Sequence, residues 1–397
     1  MFTQVGFRPE CWQKVRIGAD ATGKLIGIHH QAKHSNSKLS SHYDNITGIS
    51  RKIYAFEHVK TEQGRTLLNI PAPVWMRGPG DSSGCFAVES AIDQLCYTLN
   101  MDPTELRINN IAPHEMETGL PWSSNFLKEC IKRGAEIIDW QKRPKKPGTL
   151  KEGDWTVGYG HAVGLWNAWR GKASASAELT SEGKLILKTS MTDIGTGTGQ
   201  GMLNVAHTCT NIPKGQIQIQ LGDSDFPEAP TQGGSVGMAS ISAAVIAACD
   251  ELKASISSTL SQHGDAPEAI QISATGIYAE GVTGSETSFN ELFEQIEDSS
   301  IKVIGTSGPG AERKKYGFVS SAAHFCKVLV HEATGRVKVD RFVSVVDGGK
   351  IINKQAAANQ VIGAVMGGLG MALLEDQYID SRSGRLVGND FAGYHFP

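Results

Sequence analysis

The chain has 397 residues, enough for two or three domains of roughly 100–200 residues rather than one core. A hydrophobic share of 40%, a charged share of 20% and a formal net charge of -3 describe a soluble globular protein and exclude a basic, nucleic-acid-coating surface. Glycine alone departs from ordinary usage, with 45 residues in 397, about 11% against a usual ~7%, gathered in a few clusters.

The N-terminal MFTQVGFRPECW lacks the apolar core of a signal peptide. WQKVRIGAD and GKLIGIHHQAK then read as strands around the turn Ala21-Thr22-Gly23. Extended segments lead to Trp75-Met76-Arg77-Gly78-Pro79-Gly80-Asp81. Beyond it, Phe86, Val88, Ile92, Leu95, Cys96 and Leu99 recur at helical spacing over 82–100, with Ser82 or Asp81 as the expected N-cap. A second helix is expected from Ser124 to Trp140. The basic, Pro- and Gly-bearing stretch 141–155 reads as an exposed linker, which divides the chain into 1–140 and 156–397.

After the linker the period changes. ASASAELTSEGKLILKTSMTDI forms two strands around Ser181-Glu182-Gly183, and QIQIQLGD places Ile217, Ile219 and Leu221 on one face. HFCKVLVHEATGRVKVDRFVSVVDGG is a hairpin turning at Ala333-Thr334-Gly335. Mixed helices and antiparallel hairpins make the class α+β. Residues 356–374, AAANQVIGAVMGGLGMALL, carry no charge over a length that could span a bilayer, but Asn359, Gln360 and the glycines favour a buried helix packed closely against backbone.

Seven widely spaced cysteines include no C-x-x-C pair, so neither a disulfide framework nor a protein-ligated metal is encoded. His29, His30 and His34 lack a carboxylate or cysteine at ligand spacing and read as surface residues. Asp223 and Asp225 read as turn residues ending a strand. No G-x-S-x-G is present.

Four small-residue turns lead into helices: Arg77-Gly78-Pro79-Gly80, Gly195-Thr196-Gly197-Thr198-Gly199, Gln232-Gly233-Gly234-Ser235, and Asp347-Gly348-Gly349 with Asn353 as cap. The first N–H groups of a helix have no internal partner and favour an anion, and glycine lets backbone approach it. No G-K-[ST] follows GTGTGQG, and no acidic residue ends a second strand about 20 residues on, so neither a P-loop nor a dinucleotide fingerprint fits. Four such turns imply a large ligand with several anionic anchor points. Arg77 adds a permanently charged fork to the first of them.

The segments MRGPGDSSGCFAVESAIDQLCYTLNMDPTELRINN, TDIGTGTG, GDSDFPEAPTQGGSVGMAS and VSVVDGGKIINKQAAANQVIGAVMGGLGMALLE closely resemble the molybdenum-cofactor-binding subunit of the xanthine dehydrogenase/aldehyde oxidase family, in its bacterial aldehyde oxidoreductase branch. The resemblance covers nearly the whole chain in order. It implies two mixed domains that cradle molybdenum as molybdopterin cytosine dinucleotide. It also implies oxidation of aldehydes or hydroxylation of N-heterocycles with water, and iron–sulfur (2Fe-2S) and flavin (FAD) partner subunits, with no nucleic acid and no membrane span. By the same resemblance Arg77 stands beside the molybdenum, and Gly78 lies in the turn that brings backbone up to it. Gly195, Thr196 and Gly197 match a cofactor loop, Gly234, Ser235 and Ser240 the dinucleotide-contacting segment, and Gln360 a glutamine near the pterin. Gly78 and Asp81 depart from the family's frequent Ala and Glu.

Family members begin upstream with a Gly-Gly-Phe-Gly loop and continue past DFAGYHFP to a Gly-x-Gly-Glu segment that bears the catalytic glutamate. The sequence is therefore expected to be truncated at both ends and catalytically incompetent alone. The alternative is a non-catalytic remnant that assembles sibling subunits. The expected compartment is the cytoplasm, or the periplasm through a partner's export signal.

Overall fold

The computed structural model describes residues 6–263, 269–280, 286–296, 298–376 and 378–397. In chain order the first elements are β1 (Cys11–Ala19), β2 (Leu25–Ser37), β3 (His58–Leu68), α1 (Asp81–Leu99), α2 (Pro103–Asn109), α3 (Leu127–Ile138), β4 (Lys151–Glu152) and β5 (Trp155–Asn167). There follow β6 (Ala173–Thr180), β7 (Leu185–Thr189), α4 (Thr198–Thr210), β8 (Ile217–Leu221), α5 (Gly237–His263), β9 (Ile270–Ile272), β10 (Gly276–Ala279), β11 (Thr287–Ser288), α6 (Phe289–Gln295) and β12 (Ser300–Ser307). The chain closes with β13 (Val319–His331), β14 (Val337–Asp347) and α7 (Lys354–Leu373). The α+β class holds.

Two compact units emerge. The first comprises Met1–Asn167, Lys315–Gly349 and Val361–Pro397, and the second Ala168–Lys314 and Lys350–Gln360. This differs from the expected division at 141–155. That stretch is mostly exposed, yet it lies inside the first unit. The reason is β5, which pairs antiparallel with β13 from Val319↔Asn167 to His331↔Trp155 and so anchors residues 155–167 to strands far along the chain. Pairing across such a separation leaves no mark on local composition.

In the first unit, β1-β2-β3 and β14-β13-β5-β4 form separate sheets. The expected β1–β2 and β13–β14 hairpins are present, whereas β3 joins β2 in parallel. Leu25, Ile28, Val88, Ile92, Leu106, Ile131 and Phe325 share the core. α1 has no side-chain cap. Its N-cap is Gly80, not Ser82 or Asp81, because the chain turns there at φ 72 with Asn45 backbone against it: a Cβ would lie 2.6 Å from the Asn45 carbonyl oxygen.

Within this core, Arg107 donates through Nε to Glu89 at 2.8 Å, and Tyr54 donates its hydroxyl to the same carboxylate at 2.6 Å. The Val163 N–H is a third donor at 2.9 Å. A buried charge pair persists only when its remaining lone pairs and protons are bonded, and this one meets that condition.

The second unit is built on the sheet β12-β6-β7-β8. Ala173, Ala175 and Ala177 of β6 are fully buried, and a Cβ on Gly305 of β12 would lie 2.0 Å from the Ala248 nitrogen of α5. These small residues let α5 rest directly on strand backbone, and Ile241, Val245 and Leu252 complete the core.

The uncharged stretch 356–374 is helical but not buried, contrary to expectation. Gly370 is the buried residue of α7, while Ile362 is 59% exposed. By length and composition alone α7 could cross a membrane. Uncharged composition cannot distinguish a core helix from one whose apolar side the fold leaves open.

Candidate functional site

β7 and β8 run parallel, in register from Leu185↔Ile217 to Thr189↔Leu221, with α4 as the crossover between them. Their carboxyl ends therefore share one edge of the sheet, where ligands of open α/β layers bind. The glycine loop 190–197 leaves from one strand and the loop 222–236 from the other. Direct bonds join them: the Ser190 N–H donates to the Pro227 carbonyl at 2.9 Å, and the Gly222 N–H to the Thr189 carbonyl at 3.2 Å. Gln232 adds a clasp, its side-chain amide donating to the Thr192 carbonyl and to Thr198 Oγ1, both at 2.8 Å.

Asp193 shapes the first loop. Its carboxylate accepts from the N–H groups of Gly195 at 2.9 Å, Gly197 at 3.2 Å and Gly199 at 3.4 Å. Desolvation pushes this carboxyl up, but the amides of Gly195, Gly199 and Gly197 outweigh it and hold it below the ordinary carboxylate value. The start of α4 thus already carries an internal anion, and the amides of Gly195 and Gly197 are spent on it. Gly197 caps α4 at φ 81, a conformation open to glycine. Neither Asp193 nor Gln232 was expected from sequence. The signal was present as Asp ahead of Gly-x-Gly, the pattern of a side chain bonding its own downstream amides.

The second loop holds Gly234 and Ser235. Ser235 sits at φ 63, a strained value for a residue with a side chain, and such strain gathers at ligand sites. A Cβ on Gly195 would meet no heavy atom within 4 Å, and one on Gly234 only Val236 Cγ1 at 3.8 Å, so both face open space. Ser240 is fully buried. Its Oγ donates to the Val236 carbonyl at 2.7 Å and accepts from the Gly171 N–H at 2.9 Å, which pins the turn from below.

The start of α7 lies against the same loops. Asn204 donates to the Ile352 carbonyl at 3.2 Å, and Asn353 accepts from the Ala356 N–H at 3.1 Å, capping the helix as expected. A Cβ on Gly197 would lie 3.6 Å from that of Ala356. Gln360, exposed, follows on this helix. The second unit thus brings together the expected turns 195–197 and 232–235 and the 353–356 cap, whereas the expected Asp347-Gly348-Gly349 turn belongs to the first unit.

Arg77 and Gly78 belong to the first unit. Arg8 donates to the Arg77 carbonyl at 2.6 Å and to Ser82 Oγ at 2.7 Å, fixing the turn. The Arg77 guanidinium lies along α7: a Cβ on Gly363 would be 3.3 Å from Nη1. Asp81 pairs with Lys52 at 3.1 Å; burial pushes its carboxyl up and Lys52 pulls against it.

Other sequence candidates take structural parts. His30 and His34 are buried, not surface residues as expected. His30 lies 2.8 Å from Ser50 Oγ and 3.1 Å from Gln13 Oε1, and His29 lies 3.6 Å from Glu62. Among the described residues no His/Cys/Asp/Glu cluster could hold a metal. Asp223 accepts from the Asp225 N–H at 3.0 Å, the turn expected of it.

Comparison with known proteins follows the same lines. A profile described as a molybdopterin cofactor-binding domain matches residues 1–111, and a second of that description matches 133–397. The chain belongs to the molybdopterin cofactor-binding domain family. Within that family, the aldehyde oxidoreductase molybdenum-binding subunit PaoC of Escherichia coli K12 is 34% identical over 391 residues, covering 98% of this chain and 52% of the relative. The putative xanthine dehydrogenase molybdenum-binding subunit XdhA of the same organism is 24% identical over 411 residues, 96% of this chain and 53% of the relative. The family fold is evident in solved structures. A Cu,Mo-CO dehydrogenase superposes with a TM-score of 0.86 at 17% identity, and quinoline 2-oxidoreductase from Pseudomonas putida 86 with 0.86 at 18%. Both matches take in 100% of this chain and 54% of the solved one. The chain spans about half the length of these relatives.

Proposed function

We propose that this chain is part of a molybdenum hydroxylase subunit that holds molybdopterin cytosine dinucleotide and serves the oxidation of aldehydes or the hydroxylation of N-heterocycles. The observation that carries this reading is the 34% identity with an aldehyde oxidoreductase molybdenum-binding subunit over 98% of the chain. The donor set of the second unit fits an elongated anionic ligand. Gly195 and Gly234 leave space where a side chain would stand, Thr196 and Ser235 bring hydroxyls, and the β7–β8 edge joins their loops.

In this reading Thr196 and Ser235 donate to the pyrophosphate and nucleotide, Gly195, Gly197 and Gly234 give the ligand room, with the amides of Gly195 and Gly197 held by Asp193, and Gln360 contacts the pterin. Ser240 acts through the turn it holds, as a positioning residue. Asp193 preserves the loop's shape and, as an anion itself, directs a phosphate toward Thr196 and the second loop rather than onto the α4 amides. Bound there, the metal centre supplies a two-electron oxidation that takes its oxygen from water. Arg77 stabilises negative charge on the substrate oxygen or nitrogen, and Gly78 keeps that approach open. We assign electron removal to iron–sulfur and flavin subunits.

The test is chemical. The full chain, purified from cells that make the cofactor, should carry about one molybdenum and release about one cytidine monophosphate on acid treatment. Protein free of both contradicts the reading and favours an assembly role. In a subunit of the relatives' full length, Arg77→Ala should lower turnover on the order of 10²-fold with molybdenum retained. Activity loss that merely tracks metal loss would remove Arg77 from the chemistry.

A further inference from the structure

The first sheet of the first unit ends in an open edge. In the order β1-β2-β3, β1 pairs with β2 alone among the described strands, so the backbone groups along its far side can take a further strand. Its side chains alternate. Cys11, Gln13 and Val15 turn toward α1, while Trp12, Lys14 and Arg16 are exposed on the other face. Between β1 and α1 runs a groove of about 440 Å³. Phe86, Ser90 and Gln94 line it from α1 at one-turn spacing, and the smaller Ala87 and Ala91 leave it room. Phe86 is 76% exposed at its rim. On the solvent face the charge is positive: Lys14, Arg16 and Lys33, the β2 neighbour of Trp12, make no ion pair among the described residues. Glu62 of β3 is already engaged by Lys60 at 2.7 Å and by Gln31 at 2.6 Å.

These charges select the occupant. Two copies of β1 paired antiparallel about Val15 would set Lys14 of one against Arg16 of the other, so a second copy is repelled. A strand with carboxylates at alternate positions meets Lys14 and Arg16 with opposite charge, and its remaining side chains turn into the groove beside Phe86. We propose that the β1 edge and the β1–α1 groove bind, by strand addition, an extended protein segment that alternates acidic and apolar residues. Backbone pairing along β1 supplies the affinity, the groove reads the apolar positions, and Lys14 and Arg16 read the acidic ones. The inference concerns the first unit and does not depend on what the glycine loops bind.

The experiment uses the full chain and a fluorescein-labelled synthetic peptide, EVEVEFEVE, followed by fluorescence anisotropy at low salt and by hydrogen–deuterium exchange. The expected result is saturable binding with slowed exchange across 11–19. The lysine counterpart KVKVKFKVK should not bind. The isomer EEEEEVVVF keeps the charge but loses the alternation, and should bind on the order of tenfold more weakly. Lys14→Glu combined with Arg16→Glu, and separately Phe86→Ala, should each weaken EVEVEFEVE on the order of tenfold. Both variants change exposed positions, so the urea midpoint of the chain should stay where it is. The proposal is overturned if EVEVEFEVE does not bind, which leaves Lys14 and Arg16 as guards of the edge alone. It is equally overturned if binding leaves exchange across 11–19 unchanged, if neither variant weakens it, if EEEEEVVVF or single-stranded DNA binds as tightly, or if the chain dimerises through this edge.

Discussion

Glu89 and Arg107 look like ordinary charges in the sequence, yet they are 5% and 0% exposed. Helical periodicity marks apolar faces and says nothing about a charge that turns inward to meet another, so this pair was not legible. Removing one partner leaves the other desolvated and unpaired. Glu89→Ala should cost about 3–5 kcal/mol of unfolding free energy in urea denaturation. A loss under about 1 kcal/mol would mean that Arg107 finds water or another acceptor. The buried imidazoles set a pH dependence. Burial lowers His30 from 6.5 to about 4, and it lowers His161, stacked on Phe325 at 4.1 Å, well below 6.5. As pH falls through 6.5 the unfolded chain takes up these protons and the folded chain does not. Stability is therefore full above 6.5 and lost as pH drops toward the folded values, by up to about 2 kcal/mol per histidine at about pH 5. Urea midpoints at about pH 7.5 and pH 5 check this, and His161→Phe should shrink the difference between them.

At the scale of elements, local signals were read well. The turns at Ala21-Thr22-Gly23 and Ala333-Thr334-Gly335 gave both hairpins, and apolar spacing gave α1 and α3. One reading failed and one pairing stayed open for the same reason: each needed to know what lies across the element. The sequence of β8 alternates like any half-buried strand, and nothing in it distinguishes parallel pairing with β7 from a hairpin. The uncharged run of α7 has a core helix's composition, but most of its surface is open. Substitution tests the latter directly. Ile362→Asn and Met366→Lys should each change the stability of this chain by no more than about 0.5 kcal/mol, as exposed positions do. A cost of 2–5 kcal/mol, the range for large side chains lost from a core, would restore the buried reading.

At the scale of the whole molecule, the four small-residue turns were found in sequence because glycine clusters are visible there. What organises them was hidden. Asp193 and Gln232 act through hydrogen bonds that only the folded loops create, and the parallel β7–β8 register sets those loops side by side. The division into units was equally obscure, since β13 and β14 return to the first unit from beyond the second. The account's central claim is that the β7–β8 edge binds the phosphate-bearing part of the cofactor. Hydrogen–deuterium exchange of the full chain with and without cytidine diphosphate tests it most directly. The prediction is slowed exchange in peptides covering 192–200 and 231–238 together, with adenosine diphosphate weaker. Unchanged exchange in both loops, or protection confined to the first unit, would contradict it.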